Sequence, residues 1–209
     1  MENKLLQLFR DSTLAGMAIS IGCIVYLSVG GVAGAVLFAF GLITVILYRM
    51  KLYTGTAGFF RNKNEALDVC LILLGNIVGC FLTALCAKYS LPELSLKTQA
   101  ILEKRLSLNT LQLLLLSAGC GFIMTTAVKF AKDSSREAFE RFLPLLFGIP
   151  VFICCGFIHS IADAFYYCAC PWSFLSDNLV QVLITYLTVV AGNLLGCNLY
   201  RLVQWKLDV

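Results

Sequence analysis

The residues of this sequence best suited to chemistry are His159 and Asp163, one helical turn apart in the apolar stretch Pro150–Tyr167. His159 is the single histidine among 209 residues. An imidazole can hydrogen-bond an anion or exchange a proton with it near neutrality, because its unperturbed pKa is about 6.5. An ionisable side chain at membrane depth is expensive and marks a functional site unless the core simply satisfies it. Enzyme chemistry finds no footing. One histidine without paired carboxylates and without His/Cys metal spacing supplies neither an acid–base pair nor a metal cage, so no catalytic residue, cofactor or metal is expected.

The elements that must position these residues are membrane helices. Hydrophobic residues make up 59% of the chain and charged residues 13%, about half the charged share of a soluble domain. A bilayer takes about 20 residues per helix, and six apolar segments meet that need: Thr13–Ser28, Val32–Tyr48, Ala66–Ala87, Leu106–Val128, Phe142–Phe165 and Leu179–Leu202. They predict one all-α integral membrane domain over residues 1–209. Met1–Asp11 sets Glu2, Lys4 and Arg10 among Leu5, Leu6, Leu8 and Phe9, an amphipathic pattern rather than the apolar core of a signal peptide.

Orientation follows from the basic residues. With the N-terminus in the cytoplasm, Lys4, Arg10, Arg61, Lys63, Lys129, Lys132, Arg136, Arg141, Arg201 and Lys206 fall inside, with Arg49 and Lys51 nearest that side. Lys88, Lys97, Lys104 and Arg105 fall outside. The positive-inside rule therefore predicts both termini in the cytoplasm. The net charge of +4 is then a topology signal, not a nucleic-acid footprint. Eight of the ten cysteines lie within spans, where a free thiol packs as a small apolar group. The spacing of the outer pair, Cys168-Ala-Cys170, suits neither zinc nor redox chemistry.

Two interruptions and one repeat organise the spans. Thr54, Gly55, Thr56 and Gly58 break the apolar pattern after the second span, and a second interruption lies around His159 in the fifth. Irregular backbone at membrane depth is tolerated only where it is buried in protein or lines a cavity. Gly75-Asn-Ile-Val-Gly79 in the third span returns as Gly192-Asn-Leu-Leu-Gly196 in the sixth. Two halves of three spans start on opposite faces, so such a repeat is inverted and puts the substrate path where the broken helices meet. Lys88–Arg105 is the longest external connection and is expected to be partly helical at the interface. Lys129–Arg141 reads as a solvated turn, and Trp172, Tyr166 and Tyr167 as an aromatic belt.

Leu52-Tyr-Thr-Gly55, the two Gly-Asn-x-x-Gly segments and Gly156-Phe-Ile-His-Ser-Ile-Ala162, in that order, resemble the formate/nitrite transporter family, which includes the hydrosulfide channels, over nearly the whole chain. The resemblance implies an aquaporin-like fold of two inverted three-helix repeats with broken second and fifth helices. It implies a homopentamer in the plasma membrane of a prokaryote, with a pore for small monovalent anions of weak acids in each protomer. Thr54 and His159 match the family's pore threonine and histidine, and Phe38, Leu42 and Phe152 its apolar constrictions. Asn193 matches an asparagine beside the pore, and Arg105 or Lys104 the vestibule lysine. Three departures bear on substrate identity: Ile158 replaces a glutamate, Asp163 an asparagine, and the region of Gly121 and Phe122 the central asparagine of the fourth span.

A bare anion pays a desolvation penalty of many kcal/mol in a dry constriction. The expected mechanism is attraction by Arg105 or Lys104, pairing with or protonation by His159, then passage as a near-neutral species. The alternative is an aquaporin-like channel for small neutral solutes, indifferent to permeant charge and pH.

Overall fold

The computed structural model describes residues 2–133 and 137–205. Met1, Arg136 and Lys206, used above in reading the N-terminus and the topology, lie outside them. Among the described residues nine α-helices follow one another: α1 Glu2–Val29, α2 Gly31–Leu47, α3 Lys63–Ser90, α4 Leu94–Leu106, α5 Thr110–Lys132, α6 Ala138–Cys154, α7 Ser160–Ala169, α8 Trp172–Asp177 and α9 Leu179–Trp205, with a 3-10 turn at Tyr53–Gly55. Among the described residues, four helices are long and apolar enough to cross a membrane: Asn3–Val29, Lys63–Ser90, Thr110–Lys132 and Leu179–Leu199.

Local chemistry fixes the boundaries. Asn62 caps α3 by accepting from Glu65 N–H, while Glu65 returns bonds to Arg61 N–H and to the Asn62 amide. Asn109 opens α5 with a reciprocal capping box to Gln112. That box moves the start of the fourth span from the expected Leu106 to Thr110, because Leu106 instead ends α4. The connection after α3 is largely helical, as α4. The amphipathic N-terminal segment is continuous with α1.

Helices α1 and α3 cross at glycines, as do α5 and α9. A Cβ on Gly79 would collide with the Thr13 carbonyl, and one on Gly196 with the Ala118 carbonyl. Such small-residue faces are how helices in lipid reach close contact. Gly121 has the same purpose: a Cβ there would strike the Asn193 carbonyl oxygen. What reads in the sequence as a missing asparagine is therefore a helix crossing.

The polarity of the fold is inside out. Leu37, Phe40, Leu74, Leu115, Phe147, Ile184 and Leu187 are exposed, while Ser20, Thr54, Asn76, Ser117, Thr125, His159, Asp163 and Asn193 are buried. One sequence expectation is overturned. Tyr166 and Tyr167 are buried rather than part of an aromatic belt, because the short helix α7 is enclosed, with Ser160 to Tyr167 all buried. Trp172 is exposed, with the Lys88 ammonium 4.4 Å from its ring centre.

Candidate functional site

Two breaks in helical backbone meet at the centre of the fold. After α2 the chain passes Arg49 at φ 54° and enters the 3-10 turn that holds Thr54. After α6 it passes Gly156 at φ 76°, a left-handed conformation suited to glycine, and starts α7 with His159 as N-cap.

An asparagine pins each break. Asn76 Oδ1 accepts from Tyr53 N–H at 2.8 Å, and its Nδ2 donates to the Ser12 and Lys51 carbonyls at 2.8 and 2.9 Å. Asn193 Oδ1 accepts from Ser160 N–H, and its Nδ2 donates to the Ser117 and Ile158 carbonyls, all at 2.8 Å. The two sets correspond atom for atom: a broken-segment N–H, the carbonyl two residues before it, and a carbonyl on the facing long helix. The thiols continue the pattern. Cys80 donates to the Gly16 and Ile161 carbonyls, and Cys197 to those of Gly121 and Thr54. These bonds satisfy backbone groups that helix breaks leave open at a depth without water. With every polar atom of its amide bonded to backbone, Asn193 stands behind the site and holds it.

Upon this matched frame sits an unmatched polar pair. The thiol bonds place Ile161 where the other half has Thr54, so at that position only one of the two halves carries a hydroxyl. Thr54 Oγ1 and His159 Nε2 are 2.9 Å apart, both residues buried. His159 Nδ1 accepts the Ala162 backbone N–H at 3.1 Å. A nitrogen that accepts carries no proton, so the ring is the neutral tautomer with its hydrogen on Nε2, donated to Thr54. The Thr54 hydroxyl hydrogen is then left to point elsewhere.

Aromatic and aliphatic groups close around the pair. The Phe152 ring stacks on His159 with centroids 5.9 Å apart and meets Phe38 edge to face at 6.0 Å. Leu42 is fully buried.

A cavity opens on each side of this layer. One, of about 520 Å³, reaches Leu42 and Gly55 and is lined by Arg49, Lys51, Lys132 and Arg141. The other, of about 200 Å³, reaches Phe152 and His159 and is lined by Lys104, Arg105 and Asp163. Of the two basic residues that the sequence left open, Arg105 is the one in an ion pair, its Nε 3.6 Å from Asp163 Oδ2. The four-cation cavity escaped sequence reading. Its charges come from the α2 break, the end of α5 and the start of α6, and in the sequence they registered only as topology signals.

The family model for formate/nitrite transporters matches residues 1–206. The chain belongs to the formate/nitrite transporter family. It is 27% identical over 153 residues to an uncharacterized transporter, YrhG, of Bacillus subtilis (strain 168). That match covers 66% of this chain and 57% of the relative, so the chain spans just over half the length of that protein. The fold is that of a solved pentameric formate channel with formate bound, with a TM-score of 0.87 at 21% identity over 100% of this chain and 98% of the other. A second structure, an FNT family ion channel, also gives 0.87, at 20% identity over 100% and 92%. Membership of this family agrees with the four described helices that are long and apolar enough to cross a membrane.

Proposed function

We propose that the chain conducts small monovalent anions of weak acids, formate foremost among formate, nitrite and hydrosulfide. The path runs from the cavity lined by Arg49 and Lys51, past Leu42, Phe38, Thr54, His159 and Phe152, to the cavity lined by Lys104 and Arg105. The observation that carries this reading is the Thr54–His159 pair, the polar rung of an apolar layer between two cavities lined with cations. Cations at both mouths raise the local concentration of anions. The layer between them excludes bare charge, and the rung gives the permeant a hydrogen bond where water is absent. Because His159 Nδ1 is engaged by Ala162, donation of a hydrogen bond from Nε2 is favoured over transfer of a proton.

The matched bonds of Asn76 and Asn193 support two inverted halves, with six crossings counted by taking α2 and the α6–α7 pair as the broken spans. The formate channel of the same fold, described as pentameric, supports a homopentamer of this chain. The distribution of Lys and Arg favours cytoplasmic termini in the plasma membrane of a prokaryote.

Stopped-flow flux into proteoliposomes, with formate, nitrite and hydrosulfide against glycerol, tests the function. Anion-dependent flux at least about tenfold above protein-free vesicles, with glycerol at background, is expected. Glycerol flux without anion flux would instead identify a channel for neutral solutes. Native mass spectrometry of the same preparation is expected to show five copies, and a monomer or tetramer would contradict the assembly.

A further inference from the structure

The two cavities differ in size, and passage of a small anion does not account for the difference. The one that ends at His159 is about 200 Å³, whereas the one that ends at Leu42 is about 520 Å³. Pockets that hold small organic ligands run to about 300–1,000 Å³, so only the second is of that size. Its four cations come from three elements: Arg49 and Lys51 from the break after α2, Lys132 from the last turn of α5 and Arg141 from the start of α6. No carboxylate is among the described residues that line it. Lys51 and Lys132 are near enough to repel one another, a repulsion that a bound anion relieves.

The backbone at Arg49 points the same way. Helix α2 closes with Met50 N–H donating to the Val45 carbonyl and Arg49 N–H to the Ile46 carbonyl. In that arrangement the residue at the place of Arg49 turns left-handed and is usually glycine. Arg49 adopts the turn at φ 54° despite its side chain, the only non-glycine among the described residues with positive φ. Strain of this kind collects at ligand clamps, and here it brings a guanidinium to the wall of the larger cavity.

We infer that this cavity binds a small di- or triphosphate anion, which plugs the conduction path from that side. The inference rests on the proposed path and adds its regulation. A phosphate group carries about 1.5–2 negative charges and three acceptor oxygens, so a chain of two or three matches four cations that a formate ion leaves mostly unpaired. Arg49 and Arg141 supply the planar forks that pair with phosphate oxygens. Arg141 keeps that capacity although its Nε donates to the Ala131 carbonyl, because a guanidinium has four further N–H donors. Such an anion goes no further. Beyond Leu42 lies the apolar layer in which the Phe38 and Phe152 ring centroids are 6.0 Å apart, and several charges cannot be desolvated there. A soluble metabolite and the paired phosphates of a cardiolipin headgroup offer the same chemistry.

The experiment measures formate flux in phosphatidylcholine proteoliposomes with inorganic triphosphate on both sides, so that the direction of insertion is immaterial. Sulfate at the same ionic strength holds screening constant. Triphosphate should block wild type at a concentration at least about tenfold below that of sulfate. Arg49→Gly and Lys51→Gln, each read against its own unblocked flux, should raise the half-blocking concentration of triphosphate about tenfold or more, the loss of one charge-assisted hydrogen bond. Glycine takes the left-handed turn without strain, so a weaker block in Arg49→Gly is not a failure to fold. Flux that is low only in vesicles containing cardiolipin, and that recovers in both variants, would assign the site to the headgroup. Equal block by triphosphate and sulfate with no effect of cardiolipin, or a wild-type half-blocking concentration in both variants, overturns the inference. Binding is read separately as the melting temperature in detergent, which triphosphate should raise more in wild type than in Arg49→Gly. That reading needs no flux: a wild type stabilised by triphosphate that conducts no formate fails the proposed function alone, and one that conducts formate with neither stabilisation nor block fails the binding site alone.

Discussion

Gly196→Val eliminates the folded protein. The added Cβ would lie inside the Ala118 carbonyl oxygen on α5, a backbone atom that cannot swing aside as a side chain can. The same holds for Gly79 against the Thr13 carbonyl on α1. Moving either helix away would open the crossing on which each half is built, and in lipid such packing is a main source of helix association. Overpacking a tight core costs about 1–3 kcal/mol where side chains can shift, and sometimes more; contact with backbone, which cannot repack, places these sites beyond that range. Gly148 is the control, since a Cβ there would meet the Ile123 Cγ2 at an ordinary 3.4 Å. Fluorescence-detected size-exclusion of detergent extracts should show a folded, monodisperse peak for Gly148→Ala at wild-type level and none for Gly196→Val or Gly79→Val. An intact peak for either valine variant would contradict the crossing geometry.

Asn193→Ala is nearly as severe, for a different reason. It strands the Ser160 N–H and the Ser117 and Ile158 carbonyls where no water can replace the amide. Each unsatisfied buried group costs about 1–3 kcal/mol, so the loss sums to several kcal/mol. The melting temperature in detergent should drop by more than about 10 °C, at roughly 2–4 °C per kcal/mol for a domain of this size. Asn76→Ala should lose a similar amount, through Tyr53 and the carbonyls of Ser12 and Lys51. Unequal losses from the two would count against the matched roles.

Much of this frame is legible in the sequence, because it rests on local signals. Apolar length marks the long helices, and Gly-Asn-x-x-Gly recurs at Asn76 and Asn193 because each site needs two small residues at a crossing and one amide for a backbone break. The interruptions at Thr54 and His159 read directly as polar residues and glycines in apolar runs. What escaped the sequence depends on contacts between distant segments. Asp163 reads as an added negative charge, and only the packing of α4 beside α7 reveals that Arg105 offsets it. Tyr166 and Tyr167 read as interfacial because they precede Trp172, whereas α7 is buried around its whole circumference. The protonation of His159 depends on its place as an N-cap, which follows from the bend at Gly156 rather than from any periodicity.

The central claim is that the Thr54–His159 rung gives the permeant its hydrogen bond in the dry layer. The most direct measurement is formate flux in matched proteoliposomes of wild type and His159→Phe at pH 5 and pH 7. Phenylalanine preserves a flat ring against Phe152 and sacrifices the cap to Ala162, a loss of about 1 kcal/mol, so the protein should still assemble. Without the ring N–H the permeant's polar group is left unsatisfied in the dry layer, at about 1–3 kcal/mol, and flux should fall by roughly five- to a hundredfold at both pH values. The ratio between pH 5 and pH 7 should be retained, because the ring, with Nδ1 engaged by Ala162 N–H, donates a hydrogen bond from Nε2 and does not transfer a proton. Wild-type flux and wild-type anion selectivity in His159→Phe would contradict the account and make His159 a core residue that happens to be polar.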